Sequence, residues 1–172
     1  HLTQPRQTMA THLTREDMLV QAETVLAEVE FGNASYVHFN FMARGEPLSN
    51  PNVDKHLFRD LARCAAKYGL GSRIKISTIL PLDVVTSDGA HLWEEGCPPV
   101  DVYYSLYSVD PRWRKKWIPK AQAPEEAFKW LRTYQELTGN RVILHWALIA
   151  GENDSEQQAE AAMASALAAG LK

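Results

Sequence analysis

The sequence predicts an α/β fold built on a parallel sheet, and two observations carry that expectation. Short strand-like runs alternate with longer helical runs in the order α-β-α-β-(α)-β-α-β-α. Such alternation implies right-handed βαβ units. Each strand-like run also has one apolar face and one semi-polar face, whereas a doubly wound sheet buried on both sides would be apolar on both. Helices are therefore expected outside with a lined cavity inside, the alternative being isolated, satisfied polar residues in an α/β core. Four strands suit an open sheet or part of a barrel.

The first helix is expected over residues 14–30. Thr14 with Asp17 resembles a capping box, Met18, Leu19, Val25 and Leu26 follow helical spacing, and Phe31-Gly32 stops it. YVHFNFM at 36–42 reads as strand, followed by a loop containing Gly45, Pro47 and Pro51. Asn50 with Pro51 suggests a helix start, and that helix is expected to run to about Tyr68 and end at Gly69. RIKISTI at 73–79 is the second strand, and a helix or irregular turn occupies 81–96. VDVYYSLY at 100–107 is the third strand, and a long basic connection follows it. Pro124-Glu125-Glu126 opens a helix closed by Gly139. RVILHWALI at 141–149 is the fourth strand, and Ser155 with Gln158 forms a second capping box opening an Ala-rich helix that ends near Gly170.

Strand alternation sorts the polar residues. His38 and Asn40, Lys75 and Ser77, and Tyr103, Ser105 and Tyr107 each share a face of their strand, and His145 lies on the fourth. The opposite faces carry Val37, Phe39, Phe41, Ile74, Ile76, Val102, Tyr104, Leu106, Val142, Leu144, Trp146 and Leu148.

Composition narrows the function classes. The 172 residues are 45% hydrophobic and 23% charged, as in an ordinary globular domain. A net charge of -3 argues against a globally basic nucleic-acid coat while leaving a local patch open. No apolar run is long enough to span a bilayer and HLTQPRQTMA has no apolar signal segment, so no membrane partner and a cytoplasmic location are expected. Cys64 reads as a small buried apolar residue and Cys97 as part of a turn, a disulfide between them is not expected, and their separation matches no zinc spacing. GxGxxG, Walker A, GxSxG and HExxH are absent, and the histidines show no tight ligand spacing.

Chemistry in parallel α/β folds sits at the carboxyl ends of strands. Glu46, beside Gly45 after the first strand, presents a carboxylate suited to an ammonium. Ser77 and Ser105 end the next two strands on one inferred face and offer hydroxyls for a ribose or carboxylate. Asn153 follows the fourth strand, as an amide ligand or as a turn residue. Arg112, Arg114, Lys115 and Lys116 surround Trp113 and Trp117 at i, i+4 spacing, which suits either RNA contact by phosphate pairing and stacking or an amphipathic turn with its tryptophans on the core.

FMARGEPLSNPNV, KIST, SLYSVDPRWRKKWIPK and LTGNRVILHWALIAGENDS, in this order and spacing over about residues 36–160, resemble the radical S-adenosylmethionine enzymes. Within them the chain is most similar to the rRNA and tRNA adenine-C2 methyltransferases. The resemblance implies a partial (β/α)6 TIM-like barrel, with residues 1–172 forming the central part of a single core domain. The cluster-binding N-terminal part and the last barrel strand are then expected outside it. Gly45-Glu46-Pro47 matches the family motif that binds the methionyl amino group of S-adenosylmethionine, and Ser77 matches its strand serine. Ser105-Leu106-Tyr107 matches its SLH motif and Asn153 its asparagine after a strand-ending turn. The implied activity is methylation of an adenine C2 in rRNA or tRNA, with an external electron donor. The implied cofactors are S-adenosylmethionine and a [4Fe–4S] cluster whose cysteines are expected N-terminal to His1, because HLTQPRQTM resembles the segment after the last of them. No catalytic residue or metal ligand is assigned within the chain.

The chain departs from the pattern in three ways. Ala43-Arg44 stands where the family has Gly-Met, Tyr107 replaces histidine, and neither a CxxxCxxC motif nor the family's methyl-carrying cysteine is found. A radical S-adenosylmethionine enzyme on a non-RNA substrate, and a cluster-free nucleotide-binding module, are the alternative expectations.

Overall fold

The computed structural model describes residues 11–42 and 44–171. The opening HLTQPRQTM and Ala43, both used in the resemblance, lie outside the described residues. The elements are α1 (Arg15–Glu28), β1 (Tyr36–Phe41), a single 3-10 turn (Pro47–Ser49), α2 (Lys55–Ala66), β2 (Gly71–Thr78), β3 (Val100–Ser105), α3 (Pro111–Trp117), α4 (Pro124–Thr138), β4 (Val142–His145) and α5 (Glu156–Ala168).

The strands form one sheet in the order β1-β2-β3-β4, parallel at every pairing. A doubly wound sheet reverses its strand order at a switch point. Here the order never reverses, so successive right-handed crossovers step the same way and place their helices on one face. This is the winding of a barrel segment.

The register bears out the two-faced sheet. One face aligns Phe39 with Ile74 and Val100, and Phe41 with Ile76, Val102 and Val142. Phe58 and Leu61 of α2 and Phe128, Leu131 and Tyr134 of α4 join Ile74, Ile76, Val102 and Tyr104 in one apolar core. The other face aligns His38 with Arg73, Asn40 with Lys75 and Asp101, Ser77 with Tyr103, and Ser105 with His145. At the amino end of this polar face the side chain of Asp101, 1% exposed, is held by Arg73 and Arg141.

Both capping boxes form, at Thr14 with Asp17 and at Ser155 with Gln158. The start of α2 differs from the expectation. It is capped by Asp54, which accepts from Leu57 N at 2.8 Å, and not by Asn50. Asn50 accepts from Asn52 N at 3.0 Å and donates to Leu13 O at 3.1 Å, closing a turn before the helix begins. The basic connection also contains a helix, α3, started by Asp110 accepting from Arg112 N and by Pro111 in the first turn. Residues 79–99 form no helix; Pro81, Gly89, Gly96 and the Pro98-Pro99 pair interrupt it, and Leu80 and Leu92 bury the segment instead. Cys64 is buried and neither cysteine is in a disulfide. No described helix is long and apolar enough to cross a membrane.

Candidate functional site

The carboxyl ends of the strands form a polar rim, and the expected site residues lie along it in a connected series. Gly45 turns the chain after β1 with φ +81°, a conformation glycine adopts without strain. Glu46 then caps the 3-10 turn, its Oε1 accepting from Leu48 N at 3.1 Å. The same oxygen accepts from Thr78 Oγ1 at 2.7 Å, and Oε2 accepts from Ile79 N at 3.0 Å. Glu46 is therefore a staple between the β1 loop and the end of β2. Burial pushes its carboxyl above the ordinary carboxylate range, against the lowering pull of the bonds from Thr78, Ile79 and Leu48. A cavity of about 790 Å³ between α1 and β1 is lined at one end by Arg44, Gly45 and Glu46.

One residue before Thr78, Ser77 faces the opposite side of the sheet. Its Oγ lies 3.4 Å from Ser105 Oγ across the β2–β3 ladder. Ser105 is 6% exposed and Ser77 half-buried, so this hydroxyl pair sits at the inner edge of the rim. Leu106 follows, fully buried, and Tyr107 adopts φ +58°. Among the described non-glycine residues only Leu80 shares a positive φ. Such a conformation costs of order 1–3 kcal/mol and persists only where surroundings enforce it. The Tyr107 ring stacks on Trp113, and Trp113 on Trp117, with centroids 5.9 Å apart in each pair.

Asn153 completes the series. It is 3% exposed, donates from Nδ2 to Tyr107 O at 2.8 Å and Ala147 O at 3.1 Å, and accepts from Ile149 N at 2.6 Å. It thus joins the loop after β4 to the loop after β3. Glu152 beside it accepts from Lys116 Nζ at 2.6 Å and Trp117 Nε1 at 3.0 Å, bonds that hold its carboxyl below the usual range.

The basic segment divides. Arg112, Lys115 and Lys116 are exposed, but Arg114 is 5% exposed and bonded internally to three carbonyls and the Tyr104 hydroxyl. Grouping Arg114 with surface cations is therefore corrected: it points inward, as helix α3 turns Trp113 and Arg114 onto the fold. His38 and His145 lie on the two edge strands with β2 and β3 between them. His145 packs edge-on to Tyr103, and partial burial lowers its pKa. Among the described residues no group of three or more His, Cys, Asp or Glu is placed to hold a metal. Cys64 donates to Glu23 and Cys97 to Lys55 O, so these two thiols do not form a cluster site.

Sequence reasoning missed Thr78, Arg114 as a clamp, and the Arg73–Asp101–Arg141 group. Strand parity carries a signal for the last, since Arg73 and Asp101 fall on the polar face with Lys75. Nothing in the sequence marks Arg114 as inward.

A singly wound parallel α/β sheet with flanking helices defines the class: a partial-barrel type of α/β domain. Comparison with known proteins places it further. The chain is 33% identical over 159 residues to the probable dual-specificity RNA methyltransferase RlmN of Moorella thermoacetica, covering 86% of this chain and 42% of that protein. It is 32% identical over 150 residues to the ribosomal RNA large subunit methyltransferase N of Nitrosopumilus maritimus, covering 86% and 41%. It is 30% identical over 137 residues to the ribosomal RNA large subunit methyltransferase Cfr of Lachnoclostridium phytofermentans, covering 73% and 38%. By sequence the chain is a relative of the RlmN and Cfr family, RNA methyltransferases of the radical S-adenosylmethionine superfamily. It spans about two fifths of the length of these relatives. No family model matches it, and no solved structure does.

Proposed function

We propose that this chain is the cofactor-holding part of an RNA methyltransferase that modifies C2 of an adenine in rRNA or tRNA. S-adenosylmethionine supplies the methyl group when bound. Gly45, Glu46, Ser77, Ser105, Leu106, Tyr107 and Asn153 form its cradle. In this reading the β1 loop, fixed by the Glu46 staple, takes the methionyl end. The Ser77 and Ser105 hydroxyls take ribose or carboxylate oxygens, and the loops joined by Asn153 border the nucleoside. The exposed Arg112, Lys115 and Lys116 pair with RNA phosphates. The described cysteines, Cys64 and Cys97, do not fit a [4Fe–4S] cluster.

The observation that carries this reading is the convergence of Ser77 and Ser105, 28 residues apart in sequence, at 3.4 Å on the carboxyl rim. Each hydroxyl bond to a ligand contributes about 0.5–1.5 kcal/mol. The double variant Ser77→Ala/Ser105→Ala should therefore weaken S-adenosylmethionine binding about 5- to 150-fold. Calorimetric titration of the full-length protein tests this. Equal affinity in the native and double-variant proteins rules out the cradle.

A further inference from the structure

We infer that Arg114 is a positioning residue, whose guanidinium holds the left-handed turn at Tyr107 and so sets the shape of the Ser105-Leu106-Tyr107 rim. The inference rests on the cofactor reading of that rim, but its physical core does not.

The chain leaves β3 at Ser105 and reverses within three residues. Ser108 N donates to Leu106 O at 2.7 Å, closing a γ-turn with Tyr107 at its centre and φ at +58°. A γ-turn with positive φ is rare and strained for a residue with a side chain. Something must enforce it. Three successive carbonyls of the turn are captured by side chains from elsewhere. Arg114 Nη1 donates to Leu106 O at 2.7 Å and Ser108 O at 3.1 Å, the residues flanking Tyr107. Asn153 Nδ2 takes Tyr107 O between them.

The other arm of the guanidinium fixes the clamp to the body of the protein. Nη2 donates to Gln122 O at 2.7 Å, just ahead of α4, and meets the Tyr104 hydroxyl at 3.4 Å. Tyr104 is fully buried in the core. The neighbouring Trp113 stacks on the Tyr107 ring. One planar fork thus ties both sides of the strained residue to the core and to the α4 entrance. A lysine ammonium is a point charge without this fork geometry.

The test is a double-variant cycle on the full-length protein, combining Arg114→Gln with Tyr107→Gly and reading S-adenosylmethionine affinity and melting temperature. Glycine adopts the positive φ without strain, so the clamp matters less once Tyr107 is replaced. Arg114→Gln is expected to weaken binding about tenfold or more in the native background and less than about threefold in the Tyr107→Gly background. Its melting-temperature loss should shrink in the same way. Arg114→Lys, which keeps the charge, is expected to fall with Arg114→Gln, and it stands in where the Gln variant fails to fold. Equal losses in both backgrounds, or full rescue by lysine, overturn the inference. Coupling in melting temperature alone, with no cofactor binding by the native protein, supports the pinned turn and counts against the cofactor reading instead.

Discussion

Glu46→Gln exchanges one oxygen for an NH2 group, where every group now bonded to the carboxylate is a donor to it. The carboxylate receives three donors: Leu48 N–H, the Thr78 hydroxyl and Ile79 N–H. If the amide oxygen stays with Leu48 and Thr78, its NH2 confronts Ile79 N–H. If the amide flips, the NH2 confronts Leu48 N–H, and donating to Thr78 Oγ1, which also accepts from Leu80 N at 2.8 Å, leaves the Thr78 O–H without its acceptor. Where the carboxyl is ionised, one charge-assisted bond is lost either way, at about 1.5–3 kcal/mol. Removing a buried charge returns part of that, leaving a net loss of about 1–2 kcal/mol. For a chain of this length the melting temperature should fall by about 2–8 °C. The folded state also keeps the Glu46 proton to a higher pH than the unfolded chain, because burial raises the carboxyl above its ordinary range. That stabilisation is complete below the ordinary value and is lost as pH rises through the raised one. The advantage of the native protein over Glu46→Gln should therefore be larger at about pH 4.5 than at about pH 7.5. Thermal unfolding of both proteins at the two pH values decides the matter. A variant that melts with the native protein refutes the staple, and a gap that widens with pH refutes the upward shift of the carboxyl.

Two other outcomes follow from the same geometry. Replacing Arg112, Lys115 and Lys116 with glutamine should weaken RNA binding and lower the salt slope by about 2–3, since each phosphate contact contributes about 0.7–0.9; an unchanged slope in filter-binding titrations across salt concentrations removes this segment from the RNA interface. Asp101→Asn leaves Arg73 and Arg141 without their buried carboxylate, and because both arginines reach water the loss should be about 1–3 kcal/mol, below the roughly 3–5 typical of a fully buried broken pair. Urea unfolding measures it, and an unchanged midpoint would show that the group carries no net stability.

Much of the fold was legible because local signals agreed with tertiary need. Thr14 with Asp17 and Ser155 with Gln158 are self-contained capping devices, and both formed where expected. Strand parity put Ser77 and Ser105 on one face because burial of Ile74, Ile76, Val102 and Tyr104 leaves the alternate positions no choice. The missed features depend on partners distant in sequence. Asn50 has the chemistry of a cap, but Leu13 O and Asn52 N claim its side chain, so the helix waits for Asp54. Arg114 has the neighbours of a surface cation, and only the folded chain shows the carbonyls of Leu106, Ser108 and Gln122 converging on it. Glu46 was legible as a rim residue, whereas its bond to Thr78, 32 residues away, was not.

The central claim is that this rim serves methyl transfer to RNA. It is tested most directly by incubating the full-length protein anaerobically with S-adenosylmethionine carrying a labelled methyl group, a reductant and unmodified rRNA or tRNA, then digesting the RNA and analysing its nucleosides by mass spectrometry. Labelled adenosine methylated at C2 is the expected product, diminished in the Ser77→Ala/Ser105→Ala protein. Absence of labelled methyladenosine with every RNA supplied, from a protein shown to bind the cofactor, would contradict it.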